Sequence, residues 1–262
     1  MRTSTGSYHD VGLCAEVRAD WMKEGERIIL RSSEIVGWPE SYFYDDHKRP
    51  TDPGGRGQGY SHRSFKLDSS QAPDGMSVDC DVDGKGGFSL GLRCDQDVMD
   101  IELRVRNGLQ GMMGPIDWHF CAIGFDCPPI GDPELTRTFL FDGERLRSLR
   151  ELSGASECEI YSVTGSDGFV PAIHRSHPRG PMDAEASVVV LESGCGRYAA
   201  ALGFAQAYNI FSNPHNMCFH ADPYFGTLAG RGEERQMKGR LYLIEGSAAD
   251  AFERYRSDFI HE

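Results

Sequence analysis

The stretch Asp100-Ile101-Glu102-Leu103-Arg104-Val105-Arg106 alternates charged and apolar residues one for one. A period of two turns every apolar side chain to one face of a strand and every charge to the other, so this segment reads as a half-exposed β-strand. Short segments of similar kind recur at 26–36, 60–67, 76–82, 88–94, 116–125, 157–163, 186–191, 197–205 and 237–245. Turns rich in Gly, Pro and Asp separate them, and no helical patterns alternate with them as βαβ units would require. The expected fold is all-β, an antiparallel β-sandwich with a short C-terminal helix, built as a single domain over residues 1–262. That helix is expected over 248–258, because Ser247 is placed to cap it, Asp250 follows three residues on, and Phe252, Tyr255 and Phe259 fall on one face.

Two stretches, 45–59 and 171–181, carry too much Gly and Pro for regular structure and read as loops over a pocket. Strand patterns continue on both sides of each, so neither reads as a linker. The Gly-rich run Gly54 to Gly59 lacks the Gly-Lys-Ser/Thr ending of a phosphate loop and implies no nucleotide.

A chain of 262 residues buries about three quarters of its unfolded surface and needs no cross-links to stand. Its eight cysteines contain no Cys-x-x-Cys pair and the first residues have no apolar signal core, which together predict free thiols and a cytoplasmic protein. No apolar run approaches the ~20 residues that span a bilayer, so no membrane partner is expected. The formal net charge of −13 opposes a phosphate backbone, which excludes nucleic acid as a partner.

Chemistry concentrates in two short segments. Asp117-Trp118-His119-Phe120-Cys121 places Asp, His and Cys at alternate positions, on one strand face and about 7 Å apart. Cys218-Phe219-His220-Ala221-Asp222 carries the same three residue types in reverse order. Were the two strands antiparallel neighbours, all six side chains would share a surface, with His119 near His220. Two imidazoles and two carboxylates can work as general acid and base, since His titrates near neutrality and a carboxylate fixes its tautomer. The same donors can hold a divalent metal such as zinc or iron, and the spacing does not choose between these uses. A purely structural reading makes Cys121 and Cys218 small buried apolar groups and has each histidine satisfy a backbone carbonyl. Trp118, on the opposite face, is expected in the core, while His62 follows a Gly-rich loop that can direct it to the same cavity. Trp21, Trp38 and Trp118 with Tyr60, Tyr208 and Tyr224 offer aromatic faces of the kind that stack on sugars or fill cores.

From residue 100 to 125 the order is a strand ending in Asn107, a Gly-containing turn, Pro115 and then His119. Further on, Asn213-Pro214-His215-Asn216 precedes the turn Gly230-Arg231-Gly232-Glu233 and a strand through Lys238, Arg240 and Tyr242. These segments, within 97–126 and 197–246, resemble galactose mutarotase-like (aldose epimerase-type) proteins. Of that family's His-Pro-Tyr-Phe tetrapeptide, the histidine carries over, since this chain has His119-Phe120-Cys121-Ala122. The resemblance implies a β-supersandwich with an open sugar-binding face and histidine–carboxylate chemistry that requires no cofactor. His119 would then contact a sugar oxygen, and Asp222 would stand by position for the family's catalytic glutamate. The expectation is a carbohydrate-active enzyme (epimerase, lyase or glycoside-cleaving) with His119, His220 and Asp222 as catalytic groups and His62, Asp117 and Arg240 binding substrate. The expected partner is a small-molecule sugar or glycoside, with a homo-oligomer left open. A metal-dependent cupin-like enzyme holding a divalent metal, or a non-catalytic carbohydrate-binding protein, are the alternatives.

Overall fold

The computed structural model describes residues 2–5, 14–38, 41–45, 66–72, 74–82, 84–124, 126–153, 159–161, 186–213 and 217–260. Among them are seventeen strands, β1 to β17, and two helices, α1 and α2, in two antiparallel sheets. The first sheet runs β1 (Arg2–Thr5), β2 (Cys14–Arg18), β3 (Ile28–Trp38), β9 (Asp117–Ile123), β16 (Cys218–Pro223), β15 (Ala207–Asn213) and β12 (Glu159–Tyr161), with β4 (Ser41–Asp45) also paired to β3. The second runs β11 (Leu146–Ser148), β10 (Thr138–Phe141), β13 (Val188–Glu192), β14 (Tyr198–Phe204), β17 (Glu234–Glu245), β8 (Val98–Asn107), β7 (Gly86–Asp95), β6 (Gly75–Val82) and β5 (Lys66–Ala72).

The alternation that opens the sequence reading lies in β8, where Ile101, Leu103 and Val105 are buried and Asp100, Glu102, Arg104 and Arg106 are exposed. The inward residues of β6, β7 and β8 meet those of β2, β3, β9 and β16 in one hydrophobic core, which makes the two sheets a sandwich. Trp118 is fully buried there, edge-on to Phe88 at 5.2 Å and stacked on Phe225 at 5.6 Å. Phe120 meets Phe204 of the opposite sheet at 5.3 Å. Burying side chains of this size contributes about 1.5–3 kcal/mol each, and these contacts fix which face of β9 looks inward.

Helix α2 (Ala248–Phe259) begins with the expected capping box: the Ser247 hydroxyl accepts from the Asp250 N–H, and the Asp250 carboxylate accepts from the Ser247 N–H at 2.8 Å. Ala248, Ala251, Phe252 and Tyr255 pack against Val188, Val190, Ala199, Ala201, Tyr242 and Ile244, on the outer face of the second sheet. Gly203 makes this docking close, since a Cβ there would lie 2.6 Å from the Tyr255 ring, whose hydroxyl donates to the Phe204 carbonyl at 3.0 Å.

The structure adds elements to the sequence reading. Strands β10, β11 and β15 and the one-turn helix α1 (Leu149–Ser153) fall in stretches too short or too irregular for a periodic signal. Of the stretches expected as loops, 45–59 and 171–181, Asp45 instead closes β4 and the rest lies outside the described residues. Among the described residues, no helix is long and apolar enough to cross a membrane.

Candidate functional site

β9 and β16 are antiparallel neighbours, with Cys218 opposite Ile123, Phe219 opposite Ala122 and His220 opposite Cys121. The inward residues Trp118, Phe120, Ala122, Phe219 and Ala221 belong to the core between the sheets. By the period of two, His119 and Cys121, with Cys218, His220 and Asp222, point to the other face of the first sheet. All five are nonetheless buried, His119 to 4 % exposure and Asp222 to 0 %. Strand β16 is therefore buried on both faces, apolar within and polar without.

Asp222 is the hub. One carboxylate oxygen, Oδ1, accepts from the Phe120 N–H at 2.9 Å, and the other, Oδ2, accepts from the Asn209 amide at 2.9 Å and lies 3.0 Å from His119 Nδ1. The backbone pairing of β9 with β16 runs up to His220 and Cys121, and beyond it the carboxylate takes up the Phe120 N–H. An ionised carboxylate only accepts, so it holds the His119 proton on Nδ1 and leaves the lone pair of the neutral ring on Nε2. Three donors around a buried anion supply what water would otherwise supply, and without them the ion would not be tolerated there.

His220 stacks on His119 with ring centroids 4.5 Å apart and planes 27° from parallel. Its Nε2 lies 3.1 Å from Cys218 Sγ, so its imidazole faces a thiol, whereas that of His119 faces a carboxylate. Two overlapping donor sets result, Cys121–Cys218–His220 and His119–His220–Asp222, each with its candidate ligand atoms within 4.8 Å of one another.

The structure brings His119, His220 and Asp222 together. Asp117 opens β9 with its backbone paired to Gly37. His62 lies outside the described residues. Arg240 is not part of this cluster: it stands on β17 in the second sheet, where it bonds Asp100 at 2.7 Å and also pairs with Asp258 of α2. The closing strand that carries the sequence resemblance belongs to the other layer, which is why Arg240 and the histidines part. Of the aromatics weighed for sugar stacking, Trp118 and Tyr208 are core, and Trp21 stacks on Tyr198 at 4.6 Å. Asn209 is the residue that sequence reasoning missed. Its only signal is a polar residue between Tyr208 and Ile210 in a stretch without clear alternation. Asn107, buried at the end of β8, builds the following turn by donating to the Gly111 carbonyl and accepting from the Leu109 N–H.

Among the described residues, Cys80, Cys94, Cys121, Cys127, Cys195 and Cys218 form no disulfide bond. Burial pushes the Cys80 and Cys127 thiols up to about 12 and Cys94 to about 11. Exposed Cys195 is held below the ordinary thiol value by the Ser193 hydroxyl and by Arg197.

No family model matches the chain, and no curated protein matches it. Its fold is similar, at low identity, to several solved structures. A galactose mutarotase related enzyme from Lactobacillus acidophilus superposes with a TM-score of 0.44 at 10 % identity, covering 94 % of this chain and 91 % of the other. The aldose epimerase homologue from C. elegans gives a TM-score of 0.44 at 12 % identity, over 94 % and 96 % of the two chains. An alpha-N-acetylgalactosaminidase from Bifidobacterium bifidum gives 0.48 at 11 % identity, over 98 % of this chain and 38 % of that one.

Proposed function

We propose that the protein is an acid–base enzyme acting on a sugar or glycoside, with His119 as the proton-transferring group and Asp222 as the carboxylate that orients it. The observation that carries the reading is the buried Asp222–His119 pair, 3.0 Å between Oδ2 and Nδ1. A carboxylate behind an imidazole fixes the tautomer and stabilises the imidazolium that forms when Nε2 takes a proton. That is the requirement for opening a sugar hemiacetal: a base removes the anomeric hydroxyl proton and an acid protonates the ring oxygen. The sugar half of the reading is supported by the sequence resemblance around Asn107 and His119.

This reading changes the division of labour expected from sequence. Asp222 is fully buried and already engaged with the Phe120 N–H, the Asn209 amide and His119, so it orients and does not itself exchange protons with a substrate. His220 is turned to Cys218 and contributes the stacked wall beside His119.

The test is a substrate panel: polarimetry of freshly dissolved aldoses for accelerated anomer exchange, and aryl glycosides for release of the aryl alcohol. One sugar class should be turned over, and His119→Ala should lower that rate by about 10²–10⁴-fold, the usual share of general acid–base catalysis. Turnover that survives His119→Ala in a folded protein removes the proposal, as does a panel in which no sugar is bound or converted.

A further inference from the structure

We propose that Cys121, Cys218 and His220 form a binding site for a zinc-type divalent metal ion on the β9–β16 strand pair. The inference stands apart from the sugar reading, because it uses the thiol side of the cluster and leaves the His119–Asp222 pair intact. Cys218 and His220 are two residues apart on one strand, and Cys121 is the Cα partner of His220 on the next, so the strands alone bring the three to one face.

The separations suit a metal. The three candidate donor atoms lie within 4.8 Å of one another, and His220 Nε2 is 3.1 Å from Cys218 Sγ. With metal–sulfur bonds of about 2.3 Å and metal–nitrogen bonds of about 2.0–2.1 Å, the edges of a tetrahedron are roughly 3.5–3.8 Å. The imidazole and the Cys218 thiol must part by about half an ångström, and any wider separation must close by about 1 Å. Small side-chain rotations cover both.

His220 is shared with the second donor set, and three arguments assign it to the thiols. Two thiolates and a neutral imidazole around a divalent ion sum to zero charge, which a site this buried tolerates, whereas two imidazoles and one carboxylate leave a net positive charge. Recruiting Asp222 as a ligand would also compete with the three donors it already satisfies, two of them at its Oδ2. Thiolates, finally, select soft or borderline ions such as zinc over magnesium and calcium, which take oxygen donors. Three protein donors leave one tetrahedral position for a water or substrate atom.

Binding must release protons. Each Cys thiol gives up its proton to become a ligand, so a neutral cluster yields about two protons per metal bound, and affinity falls as the solution is acidified. Protein purified from zinc-supplemented cells should hold roughly one zinc per chain by elemental analysis. Cobalt added to the apoprotein should give thiolate-to-metal charge-transfer absorption, with proton release followed in weakly buffered solution. Cys121→Ser and Cys218→Ser should weaken binding by more than about 100-fold, beyond what loss of an outer partner costs. Cys94→Ser and Asp222→Asn should each leave the cobalt spectrum in place. Folded wild-type protein that takes up neither zinc nor cobalt overturns the proposal, and this result needs no variant to fold. A cobalt complex without thiolate absorption, or one lost in Asp222→Asn and kept in Cys218→Ser, overturns it in favour of the His–Asp set. No readout depends on sugar turnover, so failure of the sugar reading leaves this test undisturbed.

Discussion

The outer faces of the two sheets treat polar residues in opposite ways. On the second sheet, β8 and its neighbours send Asp100, Glu102, Arg104 and Arg106 into solvent, where Arg104 pairs with Glu102 and Arg106 with Asp81. On the first, β9 and β16 keep His119, Cys121, Cys218, His220 and Asp222 buried. Exposed pairs contribute little to stability because water solvates either partner almost as well. Buried ones have no such alternative, so each donor and acceptor must be matched by the fold. The polar groups worth explaining are therefore those of the first sheet.

The sharpest way to break this contrast is Asp222→Ala, which strands the Asn209 amide, the Phe120 N–H and His119 at once. A buried group left unsatisfied costs about 1–3 kcal/mol, so denaturant unfolding should show a loss of about 3 kcal/mol or more. A loss under about 1 kcal/mol would mean that water reaches these groups and that the two outer faces do not differ in kind.

Gly203→Ala probes the region where α2 covers the second sheet. The added methyl meets the Tyr255 ring and the Val188 side chain, so α2 must shift, at about 1–3 kcal/mol. Thermal unfolding should report the loss, and limited proteolysis should cut first near α2. An unchanged protease pattern and midpoint would show that the helix does not depend on this close approach.

Thiols on the inner face extend the comparison to pH. Cys80, raised by burial from 9.0 to about 12 in the fold, stays protonated while its unfolded counterpart ionises. Its contribution is thus complete below pH 9 and declines as the pH rises from there toward about 12. Between pH 8 and 10 this thiol alone should remove about 1.4 kcal/mol, a decline absent in Cys80→Ala. Equal pH slopes for the two proteins would contradict the burial argument. Exposed Cys195, shifted downward, should be alkylated well before Cys80, Cys94 and Cys127 when modified peptides are followed by mass spectrometry. The smallest effect belongs to Glu102→Gln on the open face, within about 0.5 kcal/mol in denaturant unfolding.

How much of this was readable in the sequence follows the same division. The alternation of β8 and the Ser247–Asp250 cap were legible because each is written within a few neighbouring residues. The reversed Asp-x-His-x-Cys and Cys-x-His-x-Asp segments were legible as two faces, and their pairing, expected as a condition, is what the fold supplies. Asn209 was not legible, since only the register of β15 against β16 sets it opposite Asp222. Nor was the place of Arg240, whose charge is taken up by Asp100 across a strand pair and by Asp258 from the terminal helix. Local rules state which face a residue occupies; its partner is a property of topology.

That topology also sets an order of events. Strands β5 to β8 form a meander in which each hairpin closes over a few residues, a cheap and rapid step. The contact between His119 and Asp222 spans 103 residues of sequence, and strands β10, β11, β13 and β14 of the second sheet lie along the chain between β9 and β16. Long-range pairings of this kind form late, because the entropy of closing the chain precedes any reward. The meander is thus positioned to fold while the chain is still being synthesised, whereas the cluster exists only once Cys218 to Pro223 has emerged and docked. Until then Cys121 and Cys218 are ordinary thiols on separate segments, and any reactivity or affinity they share is a late acquisition of the finished molecule.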